Sequence, residues 1–134
     1  MFVLMDLEWV TNTRDEISPT QLAAVRVDEN WNETDRFSAL IRPKDCSFWE
    51  WEHVAYTAGA PDNFRYAETA YTVFGNFLSW LSPDDILVWW HGQADQFFKN
   101  LMSWLRKITI SNKTVCCRKR VYAFLHGQDA AHGS

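Results

Sequence analysis

Two carboxylates one residue apart, Asp6 and Glu8, interrupt the apolar run "MFVLMDLEWV" at the head of this 134-residue chain. In an extended strand residues i and i+2 point to the same face, about 7 Å apart along the chain, so Asp6 and Glu8 would be neighbours on one side. On a buried strand, two ionised carboxylates lose hydration and repel each other unless hydrogen-bond donors or a cation compensate. A divalent metal is the economical compensation, because hard cations take oxygen ligands. The plainer alternative puts Glu8 in solvent at a strand-to-loop junction. A third carboxylate, Asp95, falls in the first turn of a later amphipathic stretch, directly after the apolar run "ILVWW". Ligand sites of α/β sheets collect at that end of the strands. An Asp there also suits the positive end of a helix dipole with no ligand at all.

The elements that must position these residues are readable from periodicity. Phe2 to Trp9 reads as a strand rich in β-formers and apolar on both faces, as in a strand covered on two sides. Residues 20 to 42 read as an antiparallel hairpin, with "ENWNET" as its turn. Residues 44 to 64 form an irregular connection containing a short helical piece at "FWEWEHVAY". Ala67, Ala70, Phe74, Phe77, Leu78 and Leu81 recur at helical spacing, with "PDN" offering caps before them and "SPDD" ending the helix. Ile86 to Trp90 predicts a buried strand, and Ala94, Phe97, Phe98, Leu101, Met102 and Leu105 predict a helix from about Gln93 to Arg106. A weaker strand, Thr114 to Cys117, and a helix from Arg118 to His126 complete the order βββαβαβα, an α/β domain with a mixed sheet.

Composition narrows the function classes. A chain of 134 residues that is 47% hydrophobic supports one core, and nothing in it reads as a repeat or a disordered tract. The early Asp6 and the lack of a basic leader argue against a signal peptide or membrane span, so the expectation is a cytoplasmic protein with no membrane partner. Cys46, Cys116 and Cys117 show neither C-x-x-C nor zinc spacing, and reduced thiols follow. The formal net charge of -4 hides an uneven distribution, because residues 99 to 128 carry Lys99, Arg106, Lys107, Lys113, Arg118, Lys119 and Arg120 with no acid. That segment reads as a solvated face or as a phosphate-binding patch. Of the eight tryptophans, Trp89 belongs in the core, while Trp49 and Trp51 are the candidates for stacking on bases.

Taken together, "LMDLEWV", "QLAAVRVDEN" and "WWHGQADQFFKNL" resemble the first motif, second strand and second motif of the DnaQ-like 3'-5' exonucleases. These enzymes belong to the ribonuclease H-like superfamily and carry a DEDD acidic set. The resemblance implies a ribonuclease H-like three-layer α/β domain with a mixed central sheet, here without its last helix. It implies hydrolysis of phosphodiester bonds at nucleic-acid 3' ends with two ions of Mg²⁺ or Mn²⁺, single-stranded or 3'-ended nucleic acid being the partner. Asp6, Glu8 and Asp95 then become catalytic metal ligands, and His91 stands where the family often has Asn. Ala94 replaces the Phe usual before the Asp.

The third motif does not match. The DEDDh branch places a His five residues before its last Asp, and the DEDDy branch a Tyr four residues before it. The ending "LHGQDAAHGS" puts Asp129 three residues after His126 and three before His132. The general base and fourth carboxylate are therefore unassigned, with Asp129 and His132 as the candidate replacements. The expectation is a single exonuclease-like domain over 1–134, truncated at its C-terminal end, part of a larger parent protein or self-associating through uncovered sheet surface. The alternative is a catalytically incomplete domain that binds nucleic acid or protein.

Overall fold

The computed structural model describes residues 1–11, 14–44, 61–118 and 125–126. Among these residues the named elements follow in the order β1 (Phe2–Thr11), β2 (Ile17–Val27), β3 (Glu33–Leu40), α1 (Pro61–Arg65), α2 (Ala70–Trp80), β4 (Ile86–Trp89), α3 (Gly92–Leu101) and β5 (Thr114–Cys116). The strands form one sheet in the order β3-β2-β1-β4-β5. β4 runs parallel to both β1 and β5. The links β1–β2 and β2–β3, residues 12–16 and 28–32, are too short for a parallel crossover and make the other half of the sheet antiparallel. The expected mixed sheet is thus present, and the helix expected over residues 118–126 lies largely outside the described residues, as does the "FWEWEHVAY" piece. Among the described residues no helix is long and apolar enough to cross a membrane.

β1 departs from the expectation of two covered faces. Val3, Met5 and Leu7 are buried, while Leu4, Asp6 and Glu8 are exposed. Period-2 alternation, not burial on both sides, is what the strand carries, and its polar positions take the open face. α2 begins at Ala70 instead of Ala67 because Thr69 caps it: the Thr69 hydroxyl accepts the Thr72 N–H at 3.3 Å. "PDN" instead starts the separate turn α1, whose Phe64 is fully buried. α3 ends at Leu101 and continues as a π turn, Met102–Arg106, which stops at Lys107 in the left-handed conformation with its N–H donating to the Met102 carbonyl.

The fold divides into two compact units. The first comprises Met1–Asp6, Ala24–Arg36 and Leu81 onward. Its core contains Val3, Met5, Leu87, Trp89, Phe98 and Met102, with the Trp89 and Phe98 rings 5.5 Å apart. At the hairpin tip, Asp28 accepts the N–H groups of Asn30 and Asn32 at 2.8 and 2.9 Å. Trp31 there takes a positive φ of 62°, and its ring stacks on Phe2 at 5.5 Å with the planes 4° apart. In the second unit, Leu7–Ala23 and Phe37–Trp80, α2 presents Phe77 and Trp80 to Phe37 of β3 at 5.5 and 6.0 Å. Val10 and Phe64 pack together there with Leu40.

A polar network closes the first unit at the start of β4. Asp85 is 3% exposed, yet its carboxylate accepts Arg26 Nη2 at 2.9 Å, Arg26 Nε at 3.2 Å and the Ser82 N–H at 3.0 Å. The terminal ammonium of Met1 lies 3.6 Å from the other oxygen. The Asn112 amide adds bonds to the carbonyls of Ser82, Pro83 and Asp85 at 3.0, 3.3 and 2.8 Å. Burial pushes the Asp85 carboxyl upward, but the Ser82 N–H, the Arg26 guanidinium and the terminal ammonium outweigh it and hold the carboxyl below its ordinary value. A depressed folded value contributes stability above the unfolded value, and that contribution is lost as pH falls through the folded one. Asp85→Asn should therefore cost about 3 kcal/mol at pH 7, and its deficit relative to the parent should shrink as pH drops below about 4. Urea unfolding of both chains at pH 7 and pH 3 measures this; an equal deficit at both values would contradict it.

Candidate functional site

The parallel pairing of β1 with β4 sets the site's frame. Phe2 pairs with Ile86, Val3 with Leu87 and Leu4 with Val88. Continuing that register by two residues sets Asp6 level with Trp90, the residue that follows β4 and precedes the turn into α3. Asp6 thereby comes to the end of the sheet from which α3 departs, and α3 carries Asp95 in its first turn. Glu8 lies two residues further along the same exposed side of β1.

His91 is the N-cap residue of α3, half-buried, with extended backbone angles of -136° and 155° and no side-chain bond to the helix N–H groups. The first turn is thus left without the side-chain acceptor that Asn, Asp, Ser or Thr would supply. One turn in, the Asp95 side chain is 13% exposed. Its Oδ2 receives the Lys99 ammonium at 3.1 Å, whereas its Oδ1 is buried with no hydrogen-bond partner among the described residues. A buried carboxylate oxygen without a donor is costly, and a hard cation satisfies it as well as an N–H would. In this one respect Asp95 is chemically suited to a cation. Among the described residues, however, no group of three or more His, Cys, Asp or Glu side chains is gathered closely enough to hold a metal.

Asp129 and His132 lie outside the described residues, as do Trp49 and Trp51. His126 is exposed in a turn. Trp89 is buried as expected, but Trp90 and Trp104 are exposed at 59% and 66%. Arg118 donates its backbone N–H to the Trp90 carbonyl at 2.6 Å, so an exposed base and an exposed aromatic adjoin the start of α3. Lys107 and Lys113 of the basic segment are also exposed. Cys116 and Cys117 are both half-buried; neither faces the core fully. Lys99, which the sequence groups with the basic segment, pairs instead with Asp95, and "DQFFK" carries the i,i+4 acid-to-base spacing that signals such a helix ion pair. Because the His91 cap is unsatisfied, His91→Asn should raise stability by about 1 kcal/mol, read as an increased urea midpoint at unchanged slope. No gain would mean that another group already serves those N–H donors.

No family model matches the chain, and no curated protein sequence matches it. Solved structures do. The nuclease domain of 3'hExo, a DEDDh family member bound to rAMP, superposes with a TM-score of 0.72 at 14% identity, over 99% of this chain and 74% of that one. The 3'-exonuclease in a structure of 3'-end specific recognition of histone mRNA stem-loop gives 0.70 at 15% identity, covering 99% and 65%. The metal-free E. coli ExoI–ssDNA complex gives 0.73 at 15% identity, covering 92% of this chain but 29% of that one. The chain has the α/β fold of DEDDh-family 3'-exonuclease domains.

Proposed function

We propose that this chain is a 3'-5' exonuclease domain that binds the 3' end of single-stranded nucleic acid and holds Mg²⁺ or Mn²⁺ on Asp6, Glu8 and Asp95. The observation that carries the reading is the buried Oδ1 of Asp95, without a donor among the described residues, at the head of α3 and at the end of the sheet to which the β1–β4 register brings Asp6. The fold supports it, since structures of that fold include complexes with rAMP, a histone mRNA stem-loop and a dT13 oligonucleotide. The exposed Arg118 and Trp90 beside α3 suit a phosphate and a base respectively.

Asp6 and Asp95 would hold a cation through hard oxygen ligands on rigid elements, a strand and a helix, with Glu8 as the next carboxylate along the strand. In a complete site two such ions would supply Lewis-acid activation of water and stabilisation of the leaving 3' oxygen. The protein's own part is orientation: β1 fixes the direction of Asp6, and the Lys99 contact fixes the rotamer of Asp95.

The second reading, a domain that binds nucleic acid without cutting it, is favoured by the absence of a three-ligand cluster among the described residues. Two measurements separate the readings. Titration calorimetry should show Mn²⁺ binding that Asp6→Ala abolishes, and a 5'-labelled single strand incubated with Mn²⁺ should shorten slowly in single-nucleotide steps. Binding of the strand with no shortening selects the second reading. Unchanged Mn²⁺ binding in Asp6→Ala would remove the metal site from Asp6.

A further inference from the structure

α3 is tied to β5 at two levels. At its head, the Arg118 N–H, two residues past β5, donates to the Trp90 carbonyl at 2.6 Å. Near its other end, the Lys99 ammonium meets the Thr114 hydroxyl at 3.1 Å, where β5 begins. The loop that joins them is anchored as well. The Asn112 amide donates to the carbonyls of Ser82, Pro83 and Asp85, and the Lys113 carbonyl accepts the Leu87 N–H at 2.8 Å. Helix and strand thus make one frame within the first unit, at the β5 side of the sheet.

Exposed cations and indoles stand at both ends of this frame. Arg118 and Trp90 are at the head, and Trp104, Lys107 and Lys113 are at the other end. Residues 99–118 contain no acid. Among the described residues the side chains of Lys107, Lys113 and Arg118 enter no ion pair, whereas Arg26, Arg36 and Lys99 are each matched to a carboxylate. Unmatched cations on an anchored frame attract a polyanion. Exposed indoles beside them add the stacking faces by which single-stranded nucleic acid is held, and an acidic protein segment has no need of those.

We propose that a single strand, beyond its 3' end, runs along α3 and β5 from Trp90 and Arg118 to Trp104, Lys107 and Lys113, with phosphates against the three cations and bases on the two indoles. The inference rests on the nucleic-acid reading of this chain and not on a metal site. At the 1.5 Å rise of a helix, residues 90 and 104 stand about 20 Å apart along its axis. That span takes about six nucleotides at the 3.4 Å spacing of stacked bases. A trinucleotide therefore occupies one end of the track, and a dodecanucleotide occupies both.

Fluorescence anisotropy of 5'-labelled thymidylate trimers and dodecamers in EDTA, where no strand is cut, tests the track, each variant being first shown by thermal unfolding to be folded. The parent should bind the dodecamer about tenfold more tightly than the trimer, or better. Trp104→Ala should remove about tenfold from the dodecamer and leave the trimer unchanged. Lys107→Gln combined with Lys113→Gln should lower the dodecamer's log–log salt slope by about 1.4. Trp31→Ala, which deletes a comparably exposed indole at the hairpin tip, should change neither oligonucleotide. Uridylates of the same lengths run in parallel, and length dependence in either set supports the track and names the strand it takes. Dodecamer binding indifferent to Trp104 and to both lysines would overturn the track and leave the nucleic-acid reading standing. Displacement of the dodecamer by polyglutamate at equal charge, with Trp104→Ala silent, would also overturn it by revealing a general polyanion surface. If the parent binds no oligonucleotide, the nucleic-acid reading falls and the track with it.

Discussion

The contact between Arg26 and Asp85 holds together three parts of the first unit that are far apart in sequence. It joins β2 to the residue just before β4, across 59 positions, and the same carboxylate receives the backbone of Ser82 and the terminal ammonium. A lone buried carboxylate would oppose folding; one with two guanidinium bonds and an amide bond becomes a rigid junction. The Ile86 N–H, one residue on, donates to the Met1 carbonyl at 2.9 Å, so the β1–β4 register starts from this junction. A slip of one residue there would exchange the buried and open faces of β1 and carry Asp6 from solvent into the core. What happens at one end of the strands thereby decides which side chains stand at the other.

Asp85 and Asp95 are the same residue type in opposite states. Asp85 is nearly inaccessible and has donors on its carboxylate from side chain and backbone, whereas Asp95 is somewhat more exposed and, among the described residues, has one oxygen satisfied and one not. Incomplete satisfaction is rare among buried polar atoms and calls for an explanation where it occurs. The other buried polar atom without a partner among the described residues is Trp89 Nε1, in the core beneath α3.

Much of this was legible in the residues. β1, the hairpin, β4 and α3 follow from apolar periodicity and β-forming composition, and the stripe from Ala94 to Met102 packs as its spacing implies. Asp6, Glu8 and Asp95 stood out because a charge in an apolar run is conspicuous. What escaped was non-local or ambiguous. Leu4 and Met5 are adjacent and both apolar, so alternation could not be told from a strand covered on both sides. Thr69 and "PDN" are competing helix starts of similar local strength, and the burial of Phe64 assigns each its own helix. Arg26 and Asp85 carry no mutual signal across 59 positions. The pairing of Asp95 with Lys99 was visible as spacing, but its anchoring by Thr114 depends on the β4–β5 pairing that brings β5 alongside.

The π turn after α3 gives the helix an internal length adjuster. A π turn accommodates one more residue per turn than the α-helix it extends, so Met102–Arg106 stores a residue of slack between the end carrying Asp95 and the loop leading to β5. Lys99, the last charged side chain before that turn, reaches Thr114 on β5, so the head of α3 stays coupled to the strand beyond the loop.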